Sequence, residues 1–244
     1  MPGDLAPLEN GPGLKQSKSD YSAIEIYMAA QMRDSAHDKH HVYRVLNAAL
    51  DIANYEKAVD MDVLIAACLL HDIGRERQFA NLELCHAQIG GDMAYDFLLS
   101  QNWPDDKALH VKECIKAHRY RSDAPPVSIE AKILFDADKL DVCGAIGIAR
   151  TLIYEGHVSE PLYILDDDGK IIVDGGGAEI SSFFQEYNFK LKNVYNSFFT
   201  ARAKELAMKR QQAAIDFYNS LYDEISENYE KGASLRNVHL SIEG

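Results

Sequence analysis

The chain has 244 residues, with 25 Lys and Arg against 38 Asp and Glu, a formal net charge of −13 and a pI of about 5.1. Hydrophobic residues at 47% and charged residues at 26% are the balance of a folded globular protein, which excludes intrinsic disorder. The acidity, with no block of Lys and Arg, argues against a nucleic-acid polymer as partner. The longest wholly apolar run, Val63 to Leu70, is too short to cross a bilayer, so no membrane is expected.

Residues 1–19 are rich in Pro and Gly, hold no apolar stretch of the signal-peptide kind, and read as a flexible lead-in. Residues 20–34 place Ile24, Met28 and Met32 at helical spacing. A second helix is expected over 38–57, with Asp38 as its N-cap and Val42, Val45, Leu46, Ala49, Ile52 and Ala53 on its apolar face. Residues 61–72 are apolar all round, so that helix should be central. Further helices are expected at 86–100, at 105–118 with Pro104 at its start, and at 128–153 after the break at Pro125-Pro126. Then the pattern changes. Leu162–Leu165 and Ile171–Val173 flank Asp166-Asp167-Asp168-Gly169-Lys170, which predicts a small β-hairpin over 162–173. Gly175-Gly176-Gly177 lacks the Gly-Lys-Ser/Thr of a phosphate loop and reads as a connector. Helices return at 180–200 and 202–230, with aromatic stripes (Phe183, Phe184, Tyr187, Tyr195, Phe198, Phe199, Phe217, Tyr218, Tyr222) that suit a core or the surface of a homodimer. No internal repeat or composition shift divides residues 20–230, so they read as a single all-α domain, followed by a tail at 231–244.

The four cysteines, Cys68, Cys85, Cys114 and Cys143, form no CxxC pair and sit in or beside apolar stretches. They read as reduced thiols of a cytoplasmic protein rather than as a zinc site.

The chemistry lies elsewhere. His71-Asp72 ends the most apolar helix of the chain. A carboxylate there is costly to bury, and the negative end of the helix dipole adds to the cost; a nearby cation resolves both. His41 shares a helical face with Val45, Ala49 and Ile52 and should point inward. Asp138 lies one helical turn after Leu134 and faces the same way. Two imidazoles and two carboxylates aimed at one core suit a divalent ion with open positions, with Mn²⁺, Fe²⁺, Co²⁺, Ni²⁺, Mg²⁺ and Zn²⁺ all compatible. His86 and His118, at the ends of their helices, are either caps or ligands for a second ion.

In this order the residues resemble the HD-domain metal-dependent phosphohydrolase superfamily. The segments HDKHHVYRV, AACLLHDIGRE, HAQIGG, IKAHRY and EAKILFDADKLDVCGAIGIAR, with the closing FTARAKELAMKRQQAAIDFYNSLYDEI, resemble its small stand-alone bacterial members over roughly residues 20–225. The resemblance implies an HD-domain helical bundle with His41, His71, Asp72 and Asp138 as metal ligands. It implies His86 and His118 at the positions that hold a second metal in the two-metal members, of the HD-GYP type. The other HD dipeptide, His37-Asp38, lies in a polar stretch where Asp38 serves better as a cap.

The implied reaction is hydrolysis of a phosphomonoester or pyrophosphate bond, in a nucleotide or other small phosphorylated metabolite, by metal-activated water. Asp72 or Asp138 would also orient that water, with Asp72 preferred. Arg44, Lys139 and Arg119, all close in sequence to the ligands, are the preferred phosphate-binding cations, ahead of Arg75 and Arg77. Glu76 is a candidate base, with a surface role favoured. Two alternatives stand beside this reading: a di-iron oxygenase built on the six ligands His41, His71, Asp72, His86, His118 and Asp138, as in myo-inositol oxygenase, and a catalytically silent regulatory domain that binds metal or nucleotide.

Overall fold

The computed structural model describes residues 21–32, 39–81, 83–119, 125–175 and 182–239. The lead-in, the His37-Asp38 pair, Gly176 and Gly177 lie outside the described residues. The helices are α1 (Ser22–Gln31), α2 (Lys39–Ala53), α3 (Met61–Leu70), α4 (Arg75–Ala80), α5 (His86–Ser100), α6 (Asp105–Ala117), α7 (Ile129–Leu140), α8 (Gly144–His157), α9 (Phe183–Glu186) and α10 (Ala201–His239). A five-residue π-turn (Tyr187–Leu191) and a short 3₁₀ turn (Val194–Asn196) lie between α9 and α10. The chain divides into two compact units. One comprises Met1–Asp141 and Phe198–Leu206; the other comprises Val142–Ser197 and Ala207–Gly244.

In the first unit α3 is the axis, as its uniformly apolar sequence requires. Val63, Leu64, Ala66, Ala67, Cys68, Leu69 and Leu70 are all buried, and α1, α2, α5, α6 and α7 pack around them. Each fully buried Leu or Val there is worth about 1.5–3 kcal/mol relative to exposure. Asp60 starts the helix, its side chain accepting from the Asp62 and Val63 amides. Lys107 of α6 pairs with both Asp60 and Asp62. Ser128 caps α7 by accepting from Ala131 N at 3.1 Å.

Two details of this unit position the site. After His71-Asp72 the chain turns at Gly74 into the short helix α4, which the sequence pattern did not reveal. A Cβ on Gly74 would lie 2.2 Å from the His86 carbonyl oxygen and 2.8 Å from Gly90 N, so only glycine lets the turn press against the start of α5. Second, the buried carboxylate of Asp136 accepts from the amides of Phe199 (2.9 Å) and Thr200 (2.7 Å) and from the Thr200 hydroxyl (2.6 Å). Those are orphan donors at the start of α10. Arg202 grips Asp51 of α2 at 3.0 Å and covers the Tyr55 ring. Residues 198–206 are thereby tied to the helices of the first unit.

In the second unit Phe183, Phe184 and Tyr187 of the aromatic stripes are core, whereas Phe217 is 39% exposed. Phe183, Phe184, Tyr187 and Leu191 cluster with Ile148, Ile171 and Ala214. Phe184 meets Tyr218 edge-on with ring centroids 5.2 Å apart, and Tyr187 stacks on Tyr218 at 4.3 Å.

Three expectations need correcting. The helix expected over 128–153 is two helices, parted at 141–143. The second begins at Gly144 with φ of +68°, a conformation that favours glycine, and its amide donates to the Tyr195 hydroxyl. The helix expected over 180–200 is α9, the π-turn and the 3₁₀ turn. Asn188 Nδ2 donates to the Phe184 carbonyl, and Asn193 Nδ2 to the Asn188 and Phe189 carbonyls. These side-chain amides compete with the helical ladder. The β-hairpin over 162–173 is absent: the described residues contain no strand, only an isolated antiparallel bridge between Leu165 and Ile171. Asp166 explains it, since its side chain accepts from the amides of Asp168 and Lys170 and closes a tight turn by itself. Leu165, Ile171 and Val173 then pack onto the aromatic cluster instead of extending a ladder.

Glu155 of α8 is 3% exposed, and neither carboxyl oxygen has a hydrogen-bond partner among the described residues. Burial, with Glu160 and Glu186 nearby, pushes its pKa up from 4.5 to about 7. Between these values the folded protein holds a proton that the unfolded chain releases. Stability therefore falls as pH rises from about 4.5 to 7 and is level above that. Glu155→Gln should remove this slope and raise Tm at pH 8 by about 4 °C, for about 1–2 kcal/mol. Thermal melts of both proteins at pH 5 and 8 check it; an equal Tm difference at both pH values would contradict it.

All four cysteines are free, with Cys68, Cys114 and Cys143 buried. No described helix is long and apolar enough to cross a membrane.

Candidate metal centre

Four histidines converge in the first unit, and each ring is fixed from behind. His41, from the apolar face of α2, has Nδ1 2.7 Å from Asp141 Oδ2. His71, closing α3, has Nδ1 2.8 Å from the Cys68 carbonyl. His86, opening α5, has Nδ1 2.8 Å from Gln78 Oε1, and His118, closing α6, has Nδ1 2.6 Å from the Ile115 carbonyl. Carbonyl, amide and carboxylate oxygens only accept, so each Nδ1 carries the hydrogen and donates it. That leaves a lone pair on every Nε2. All four rings are buried, with 2% exposure or less.

These lone pairs face one another. Nε2 of His41 and Nε2 of His71 are 3.2 Å apart; those of His86 and His118 are 3.3 Å apart. Burial lowers the His71 pKa to about 4 and, with Arg75 nearby, pushes that of His86 down as well, which favours the uncharged ring in one member of each pair. Asp72 lies between the pairs. Its Oδ2 is 3.5 Å from His41 Nε2 and 3.6 Å from His71 Nε2, and its Oδ1 is 3.4 Å from His86 Nε2 and 3.7 Å from His118 Nε2. Asp138 Oδ1 stands 3.5 Å from His41 Nε2. Asp72 Oδ2 is buried without a hydrogen-bond partner among the described residues.

Burial alone would raise the Asp72 pKa, but the Arg75 guanidinium beside it acts the other way, and the carboxyl is held well below the usual carboxylate range. A buried anion and inward-facing lone pairs are the electrostatics of a cation site. Donors 3.2–3.7 Å apart need to close in by only a few tenths of an ångström to sit as ligands on a common ion, which at bonds of about 2.1 Å stand about 3.0–3.4 Å from their neighbours. Two triads could each hold an ion: His41, His71 and Asp138, and Asp72, His86 and His118, with the donor atoms of each triad within 4.8 Å of one another.

The other expected site residues are less uniform. Arg44 is committed to Asp141, donating from Nε at 2.7 Å and from the guanidinium end at 2.9 Å; it braces the carboxylate that holds His41. Lys139 lies over the Phe135 ring, 5.3 Å from its centroid. Arg119 donates to Cys85 Sγ at 3.8 Å, at the start of the His86 helix. Glu76 is exposed on α4. Arg75, ranked behind these cations on sequence, contacts the centre, its Nε donating to Asp72 Oδ1 at 3.0 Å. Asp141 and Gln78 were missed. Asp141 lies in the DADKLD segment and faces back across the fold; Gln78 sits on the short helix whose pattern gave no signal.

Residues 39–143 match the HD domain family. Bacillus subtilis YpgQ, an uncharacterised protein, is 29% identical over 215 residues, 87% of this chain and 95% of its own length. Its crystal structure in complex with ADP covers 84% of this chain and 98% of that one, at 26% identity and a TM-score of 0.66. A Lactobacillus plantarum protein shares the fold with a TM-score of 0.70 at 24% identity, over 87% of this chain and 99% of its own. A protein from an uncultured Thermotogales bacterium, described as a predicted HD superfamily hydrolase, aligns at 27% identity and a TM-score of 0.56, over 82% of this chain and 90% of its own.

Proposed function

Residues 39–143 form an HD domain, and on that footing we propose that the protein is a divalent-metal-dependent phosphohydrolase acting on a nucleotide or other small phosphorylated metabolite. The observation that carries the reading is the orientation of the four histidines, each donating outward from Nδ1 and turning its Nε2 lone pair onto Asp72. His41, His71, Asp72 and Asp138 would hold the first ion; His86 and His118 would hold a second or meet substrate. A bound divalent ion lowers the pKa of water and polarises a phosphoryl oxygen. Asp72 offers carboxylate oxygens to both halves of the site and can accept a hydrogen bond from a water, which orients it. Asp138, 23% exposed, places an acceptor at the edge of the site open to solvent. Arg75, 26% exposed, brings positive charge to the same region, where a phosphate would need it. The ADP bound by YpgQ supports a small phosphorylated ligand.

The experiment is release of phosphate and pyrophosphate from a panel of nucleoside mono-, di- and triphosphates and phosphomonoesters. The protein is stripped with EDTA and each metal is added back. Activity should be absent in the stripped protein and return at least a hundredfold with one or more of the ions. The two intact triads are also the ligand set of the oxygenase alternative. A silent panel, with iron copurifying and oxygen consumed, would establish that reading instead.

A further inference from the structure

The two halves of the centre offer similar donors but differ in their surrounding charge. The half with His41, His71 and Asp138 has a second carboxylate, Asp138, and a third, Asp141, hydrogen-bonded to His41 from behind. Such a carboxylate–histidine pair makes the ring a stronger ligand. Among the described residues the half with His86 and His118 has only Asp72 Oδ1 as an anionic donor, its histidines backed by a neutral amide and a backbone carbonyl. That one anionic oxygen is already taken by Arg75 Nε at 3.0 Å. A second ion would have to displace the guanidinium or share an oxygen with it, against like-charge repulsion.

We propose that Arg75 stands in for a second metal ion. The chain binds one divalent ion tightly, between His41, His71, Asp72 and Asp138. The Arg75 guanidinium on Asp72 Oδ1 supplies the positive charge of the other half and leaves His86 and His118 beside it to face the substrate. Arg75 is thus a specificity-determining residue for metal number. The proposal rests on the metal reading above but assigns a role that six ligands alone would not give.

The test is metal stoichiometry of the full chain. Mn²⁺ is titrated into EDTA-stripped protein by calorimetry, and spin coupling between paired ions is read by electron paramagnetic resonance. Wild type should bind one ion tightly and show no coupling. Arg75→Gln should keep the first ion and gain at least tenfold in affinity for a second, with the coupled signal. Arg75→Lys should behave as wild type. His118→Ala, added to Arg75→Gln, should remove the second ion again. Two tight ions in wild type, or one in Arg75→Gln with the first site intact, would overturn the proposal and leave the metal reading standing. No bound ion in folded wild type would overturn both.

Discussion

Asp72→Ala should abolish high-affinity metal binding and reduce metal-dependent turnover at least a thousandfold, while the far-ultraviolet circular dichroism stays that of wild type. The reason is geometric. Asp72 reaches both halves of the centre, with Oδ2 on the His41 and His71 side and Oδ1 on the His86 and His118 side. Truncation removes the buried anion that balances a divalent charge. Four imidazoles and Asp138 remain, with the Arg75 guanidinium beside them no longer held by Asp72. The fold should survive, because Asp72 contributes charge rather than apolar packing, and α3 ends before it. Mn²⁺ calorimetry and the phosphate-release assay check the two losses. Retained Mn²⁺-dependent turnover in this variant would count against the whole assignment.

Gly74→Ala should be the most damaging small substitution for stability, at about 3 kcal/mol and about 6–10 °C in Tm. The added Cβ meets backbone on two sides, the His86 carbonyl and Gly90 N, and neither can rotate away. The first turn of α5 has to move, and His86 with it. Gly90→Ala, whose Cβ comes no closer than 3.3 Å to Gly74 N, should cost far less. The two variants also separate packing from metal binding. His41, His71 and Asp138 do not sit on α5, so Gly74→Ala should keep its first Mn²⁺ within a few-fold of wild type. A thermal melt and a calorimetric titration on the same sample measure both; equal Tm values for the two variants would refute the close-contact explanation.

Much of the centre was legible because its residues violate their local surroundings. A carboxylate ending an all-apolar helix and a histidine on an apolar helical face are anomalies that one sequence can show. What held those residues in place was not. Asp141 acts on a histidine 100 positions earlier, and nothing in its own segment marks the direction it faces. Gln78 lies on a six-residue helix too short for a periodic pattern. Sequence proximity did not show which carboxylate each cation pairs with. Arg44, one turn from His41, is drawn to Asp141, whereas Arg75 closes an i, i+3 pair back onto Asp72. The helices of the first unit followed their hydrophobic period closely. The second unit did not, because the side chains of Asp166, Asn188 and Asn193 bond to backbone groups that strand or helix would have used.

The clasp of Asp136 on Phe199 and Thr200 bears on the order of synthesis. A ribosome delivers every proposed metal ligand by Asp138, then all of residues 142–197, before the two amides that Asp136 accepts can emerge. In that interval the nascent first unit carries an acid in its core without the donors of Phe199 and Thr200, and burial already raises the pKa of that acid even in the finished protein. Asp51, likewise, still awaits Arg202. The first unit is therefore completed only when residues 198–206 arrive, and an intervening segment that stalls or misfolds during translation delays the maturation of the proposed site.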